Sequence, residues 1–112
     1  MRNDKERLLH ILDAIQRMEK YAKKGKDAFY ENELIQNWML RHLQIIGEAS
    51  QHLSPTFYQS HPEISWKSII GLRNILVHQY FDIDPELIWL VIESDLPYLK
   101  KKIELILKSN SI

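Results

Sequence analysis

The chain contains no cysteine, which excludes disulfides and thiolate metal sites and leaves the redox compartment open. It also has no surplus of charge, since fifteen basic and fifteen acidic side chains give a formal net charge of zero. Non-specific affinity for nucleic acid draws on excess Lys and Arg to displace counterions, so any RNA contact must come from a local cluster. Glycine is scarce, at three residues, and forms no Gly-rich phosphate loop. No apolar run approaches membrane-spanning length, and the charged opening Met1-Arg2-Asn3-Asp4-Lys5-Glu6-Arg7 is not followed by the apolar core of a signal peptide. No membrane association is expected, and the expected location is cytoplasmic. There is no strand-like alternation, internal repeat or low-complexity tract. What is present is an ordinary globular composition over 112 residues, which predicts one domain spanning 1–112 with a modest core.

Apolar residues recur at helical spacing nearly throughout. Leu8, Ile11, Leu12, Ile15, Met18 and Ala22 predict a first helix over 4–24 with one buried stripe. Lys23-Lys24-Gly25-Lys26-Asp27 reads as a basic helix end, a glycine stop and an N-cap at Asp27. Leu34, Ile35, Trp38, Met39, Leu43, Ile46, Ala49 and Leu53 predict a longer helix over 28–53. Its apolar face is wide enough to pack against two neighbours, one from a second chain. Arg41 and Glu48, seven positions apart, lie on similar sides of that helix. They serve either in structural ion pairs or in support of a site. Glu48 and His52 have the i,i+4 spacing of two metal ligands, but no third ligand is evident, so no metal is expected. His10 and His42 are expected at the helix surface or its boundary.

Ser54-Pro55 predicts a short helical turn over 55–59, and Ser65 is placed to cap a helix starting at Trp66. Asp84-Pro85-Glu86 opens the last helix, carrying Leu87, Ile88, Val91, Leu96, Leu99, Ile103, Ile106 and Leu107. Pro97 should kink or interrupt it after Ser94-Asp95. Lys100-Lys101-Lys102 is the densest positive run in the chain. The fold expected is all-α: an antiparallel four-helix bundle with one short extra helical turn between the second and third helices.

The stretch that concentrates chemistry is Gly71-Leu72-Arg73-Asn74-Ile75-Leu76-Val77-His78-Gln79-Tyr80. Trp66, Ile69, Ile70, Leu76 and Val77 would hold one face of its helix against the core. Arg73 and His78 are five positions apart, about 140° around a helix, whereas Asn74 and His78 stack at i,i+4. A second copy of the chain is one way to bring an arginine and a histidine together. The plainer reading is a solvated arginine and a histidine suited to a helix C-terminus.

Arg73, four residues, His78, one residue, Tyr80 resembles the signature of the HEPN superfamily, and the frame around it resembles the HepT branch. His61-Pro62-Glu63-Ile64-Ser65-Trp66 is similar to the family's entry into the motif helix. Phe81-Asp82-Ile83-Asp84-Pro85-Glu86-Leu87-Ile88-Trp89 is similar to its turn into the last helix. Arg41-His42-Leu43-Gln44-Ile45-Ile46-Gly47-Glu48-Ala49 resembles its second-helix pattern.

The resemblance implies a HEPN-like bundle that forms a two-fold homodimer, in which two Arg73 and two His78 line one cleft. It implies a metal-independent endoribonuclease toxin with Arg73 and His78 catalytic, and Asn74, Arg41 and Glu48 in support. No cofactor is implied. The partner implied is a nucleotidyltransferase antitoxin of the MntA type, which adds AMP to Tyr80. The competing expectation is a non-catalytic dimeric helical module whose Arg, His and Tyr recognise a nucleotide, RNA or a partner protein.

Overall fold

The computed structural model describes residues 2–78 and 84–109, with the side chains of Arg2, Val77 and His78 left out of the description. The helices in chain order are α1 (Arg2–Ala22), α2 (Lys26–Glu31), α3 (Glu33–Gln51), α4 (Pro55–Ser60), α5 (Trp66–His78), α6 (Pro85–Leu90) and α7 (Leu96–Lys108). Val91–Asp95 joins α6 to α7 as a π-helical turn. The four long members are α1, α3, α5 and the α6–α7 unit, which is the all-α, HEPN-like bundle expected. No strand occurs among the described residues.

Helix α3 is the central member, packing on α1 along one side and on α5 along another. Leu8, Ile11, Ile15 and Met18 of α1 meet Met39, Leu43 and Ile46 of α3 and Leu99 and Ile103 of α7 in one buried cluster. Each such side chain, fully removed from water, contributes about 1.5–3 kcal/mol. Helix α2 reaches α6 through Phe29 and Trp89, whose rings lie 5.6 Å apart.

The single helix expected over 28–53 is two helices. Asn32 adopts an extended backbone, and its side chain accepts hydrogen bonds from the Leu34 and Ile35 amides, a cap that starts α3 and ends α2. The break lets α2 turn back over the bundle, and Gln36 ties it there by donating to the carbonyls of Phe29 and Tyr30. The bundle therefore has two short extra helices, α2 and α4, where one was expected. Gly25, at φ 93°, occupies the N-cap position expected for Asp27.

Other terminators behave as their chemistry requires. Ser54 caps α4 through Phe57, and Asp84 caps α6 through Glu86, each with proline in the first turn. Pro97 cannot donate an amide hydrogen, and its ring excludes the regular helical position of the carbonyl four residues back. The widened turn over Val91–Asp95 takes up that conflict. It also leaves Leu87 half exposed and buries Ile92, a redistribution the uninterrupted pattern does not predict.

Asp4 is 2% exposed in the first turn of α1. It accepts hydrogen bonds from the Ser54 amide at 2.8 Å and the Ser54 hydroxyl at 2.7 Å, fastening the start of α1 to the start of α4. Beside it the Tyr58 hydroxyl donates to the Ser50 carbonyl. Burial pushes the phenol above its ordinary value of 10.0, with the nearby Asp4 charge acting in the same direction.

Candidate active site

Arg73 sits where α5 crosses α3, and the crossing is unusually close because residue 47 is glycine. A Cβ built on Gly47 would lie 2.1 Å from Arg73 Cβ and 2.7 Å from its Cγ. Those atoms belong to the stem of Arg73, so the arginine lies directly on bare α3 backbone. A mid-helix glycine costs about 1 kcal/mol relative to alanine. Gly47 offsets that cost by admitting α5.

From this seat the guanidinium reaches two groups. One terminal nitrogen, Nη2, is 3.6 Å from Glu48 Oε1, and the other, Nη1, donates to Asn74 Oδ1 at 3.1 Å. Arg73 Nε is buried and has no hydrogen-bond partner among the described residues. The Glu48 side chain is 51% exposed and that of Arg73 23% exposed, so the pair lies at the protein surface. An exposed ion pair of this kind contributes about 0–1 kcal/mol, which makes it an orienting contact more than a stabilising one.

The candidate residues fall into three groups. Arg73, Asn74 and Glu48 are brought together by the α3–α5 crossing. Arg41 is exposed two turns earlier on the same side of α3 as Glu48 and makes no ion pair with a described residue. His78 is the last residue of α5, but its side chain lies outside the description, and Tyr80 lies outside the described residues altogether. Of the remaining histidines, His10 is exposed as expected. His42 is buried, with Nδ1 2.7 Å from the Trp38 carbonyl and its ring 4.4 Å from that of Trp38. His52 ends α3 in an exposed position. Among the described residues no three His, Asp or Glu side chains converge as metal ligands. No described helix is long and apolar enough to cross a membrane.

The residue that sequence reasoning passed over is Gly47. Its signal was a lone glycine within an otherwise apolar helical frame, where only close approach of another backbone or stem repays the lost propensity.

The arrangement provides a fixed cation at an open surface, flanked by an amide, on a helix that ends in an imidazole-bearing residue. Such a set suits an anionic oxygen-rich ligand such as phosphate.

Residues 11–106 match the family described as HepT-like: Ribonuclease HepT-like. The chain is 35% identical over 104 residues to "Probable ribonuclease HepT" of Thermococcus cleftensis, covering 92% of this chain and 94% of that one. It is 42% identical over 78 residues to "Putative RNase MJ1380" of Methanocaldococcus jannaschii, covering 70% and 72%. It is also 39% identical over 105 residues to "Gamma-glutamylcyclotransferase and putative RNase MJ0434" of the same organism, where it covers 92% of this chain but 47% of that longer one. No solved structure gives a significant match.

Proposed function

Since the chain belongs to the HepT-like ribonuclease family, we propose that it is a metal-independent endoribonuclease toxin acting through Arg73 and His78. The observation that carries this reading is the seating of Arg73: a guanidinium braced by Glu48 and Asn74 beside an open surface, on the helix that ends at His78.

In this reading the imidazole of His78 takes the proton from a ribose 2′-hydroxyl, the general-base role that histidine most often fills. The 2′-oxygen attacks the adjacent phosphorus while the bond to the 5′-oxygen breaks. Arg73 donates to the phosphate oxygens as their charge rises. The products are a 2′,3′-cyclic phosphate and a 5′-hydroxyl, the departing oxygen taking a proton from imidazolium or water. Asn74 holds the guanidinium, and Arg41 meets a neighbouring phosphate.

The active species is a homodimer with a composite cleft. Arg73 and His78 are five positions apart on one helix, about 140° around its axis, so one copy's arginine is completed by its partner's histidine. Supporting this, Ile75 lies 47% exposed on α5 between the motif residues, and Gly71 one turn earlier has open space around it. Control comes from a nucleotidyltransferase antitoxin that transfers AMP from ATP to the Tyr80 hydroxyl, releasing pyrophosphate. The added phosphodiester then occupies the guanidinium in place of substrate.

The test is cleavage of single-stranded RNA by protein prepared without its partner. Arg73→Ala and His78→Ala should each lower the rate by about 10² or more, with the helical content unchanged. Chelators should leave the wild-type rate intact, and light scattering should give twice the chain mass. Full activity in His78→Ala, or a monomer that cleaves at the normal rate, refutes this reading.

A further inference from the structure

We propose a second RNA-binding subsite, a base-stacking pocket at the junction of α1, α2 and α3. It holds the substrate strand a few nucleotides from the scissile phosphate. The proposal rests on the ribonuclease reading above for its link to cleavage, but not for the binding itself.

A chain of zero net charge needs a local cluster to hold RNA, and the structure decides which cluster is free. The run Lys100-Lys101-Lys102 is partly committed, since Lys100 Nζ is 3.0 Å from both carboxylate oxygens of Glu19. Lys20, Lys23, Lys24 and Lys26, around the end of α1 and the start of α2, have no carboxylate within ion-pair distance among the described residues. No acidic residue falls between Lys20 and Lys26 in the sequence. Glu19, the acid just before them, is the one neutralised by Lys100.

Against this basic edge opens a cavity of about 340 Å³ lined by Tyr21, Lys24, Asn32, Leu34, Ile35 and Trp38. Tyr21 and Trp38 meet edge to face at 5.4 Å, and Trp38 Nε1 donates to the Arg17 carbonyl at 3.0 Å, which fixes the indole. Lys24 Nζ lies 5.8 Å from the Tyr21 ring centre, beside the opening. Leu34 forms part of the wall yet is 79% exposed, an apolar side chain left for a ligand to cover. Asn32 spends its carbonyl oxygen capping α3, so its amide hydrogens remain for the acceptors of a base. A fixed indole, an apolar wall and a lysine with no carboxylate partner among the described residues are what a single strand requires: an aromatic surface for a base and a cation for phosphate.

The pocket also lies on a path from the motif. Leu34, Trp38, Arg41, Ile45 and Glu48 recur at spacings of three and four, forming one stripe of α3 that ends at the Arg73 contact. Ten residues of helix from Trp38 to Glu48 span about 15 Å, which a stacked strand covers in about four or five nucleotides at ~3.4 Å each. Arg41, exposed between them, serves an intervening phosphate. The one carboxylate on the stripe, Glu48, is the one Arg73 engages.

The probe is a 2′-O-methyl oligonucleotide, which cannot be cleaved by 2′-oxygen attack, used with the full chain. Trp66 and Trp89 are buried, so a base entering the pocket should quench the emission of Trp38, and Trp38→Phe should lose that quenching. Lys24→Ala and Tyr21→Ala should weaken binding of a dodecamer by about 5-fold or more, while binding of a dinucleotide is unchanged. Lys24→Ala should also flatten the salt dependence. With a cleavable dodecamer the same variants should raise KM and leave kcat alone. Lys24→Ala removes an exposed side chain, so loss of fold does not confound it. Quenching without cleavage by the wild type would sink the ribonuclease reading and leave the subsite standing. Cleavage with unchanged KM in all three variants, no quenching, or variants that alter only the oligomeric mass would overturn the subsite.

Discussion

Replacing Gly47 by alanine should separate the effects of stability and activity in this protein. The added Cβ lands 2.1 Å from Arg73 Cβ, 2.7 Å from its Cγ and 3.3 Å from its Cα. Carbon atoms rest at about 3.5–4.0 Å, so α5 must move off α3 by roughly 1.4 Å or more. No rotamer change relieves the clash, because Cβ is fixed to the α5 backbone. Overpacking of this kind costs about 1–3 kcal/mol. Alanine returns about 1 kcal/mol of helix propensity, leaving a net loss of roughly 0–2 kcal/mol. At about 4–8 °C per kcal/mol for a domain near this size, Tm should fall by no more than about 15 °C. Cleavage should suffer far more, since a displacement near 1 Å at a reacting group costs about 10² in rate. Thermal unfolding followed by circular dichroism, beside an RNA cleavage assay, measures both. Gly47→Val should worsen both numbers. A Gly47→Ala protein with raised Tm and full activity would refute the tight crossing as the feature that seats Arg73.

Asp4→Ala removes the acceptor for both the amide and the hydroxyl of Ser54, and each donor left without a partner costs about 1–3 kcal/mol, so chemical denaturation should show a loss in that range or above. Because Tyr58 titrates higher in the folded chain than in the unfolded one, its contribution is complete below about pH 10 and is lost as pH rises through the folded value. Tyr58→Phe should therefore flatten the alkaline decline in stability, at a neutral-pH cost of about 0.5–1.5 kcal/mol for the missing hydrogen bond. Co-expression with a nucleotidyltransferase antitoxin should add AMP-sized steps to the intact mass, and these should vanish in Tyr80→Phe; an unmodified wild type that is nonetheless silenced would make Tyr80 structural.

Helix positions were legible in the sequence wherever a periodic apolar stripe met a capping residue. Ser54-Pro55 and Asp84-Pro85 behave as their side chains require, and Pro97 falls beside an interruption. Asn32 was passed over because apolar periodicity continues across it, and a single asparagine between two acids carries little weight without knowledge of where α2 must turn. Leu34 counted as core for the same reason, although the break places it on the outer side of α3's first turn. Within the site, the pairing of Arg73 with Glu48 was beyond reach, because the two residues lie on different helices and only the crossing joins them. Asp4 likewise looked like an ordinary acid in a first helical turn, and its partner lies 50 residues away.

The widened turn at Val91–Asp95 has a consequence for how this chain tolerates insertions and deletions. A π-helical turn holds one residue more than an α-helical turn. Removing a residue there would let the turn close to α-helical geometry with the later side chains keeping their direction, whereas adding one more would swing every later side chain by about 100° around the axis. Leu96, Leu99, Ile103 and Ile106 would leave the interior together, and Lys100 would lose Glu19. The irregularity thus acts as a phase setting between two halves of one rod. A deletion in this stretch, where the backbone is already irregular, is therefore the milder change, while an insertion would cost the bundle one of its four walls.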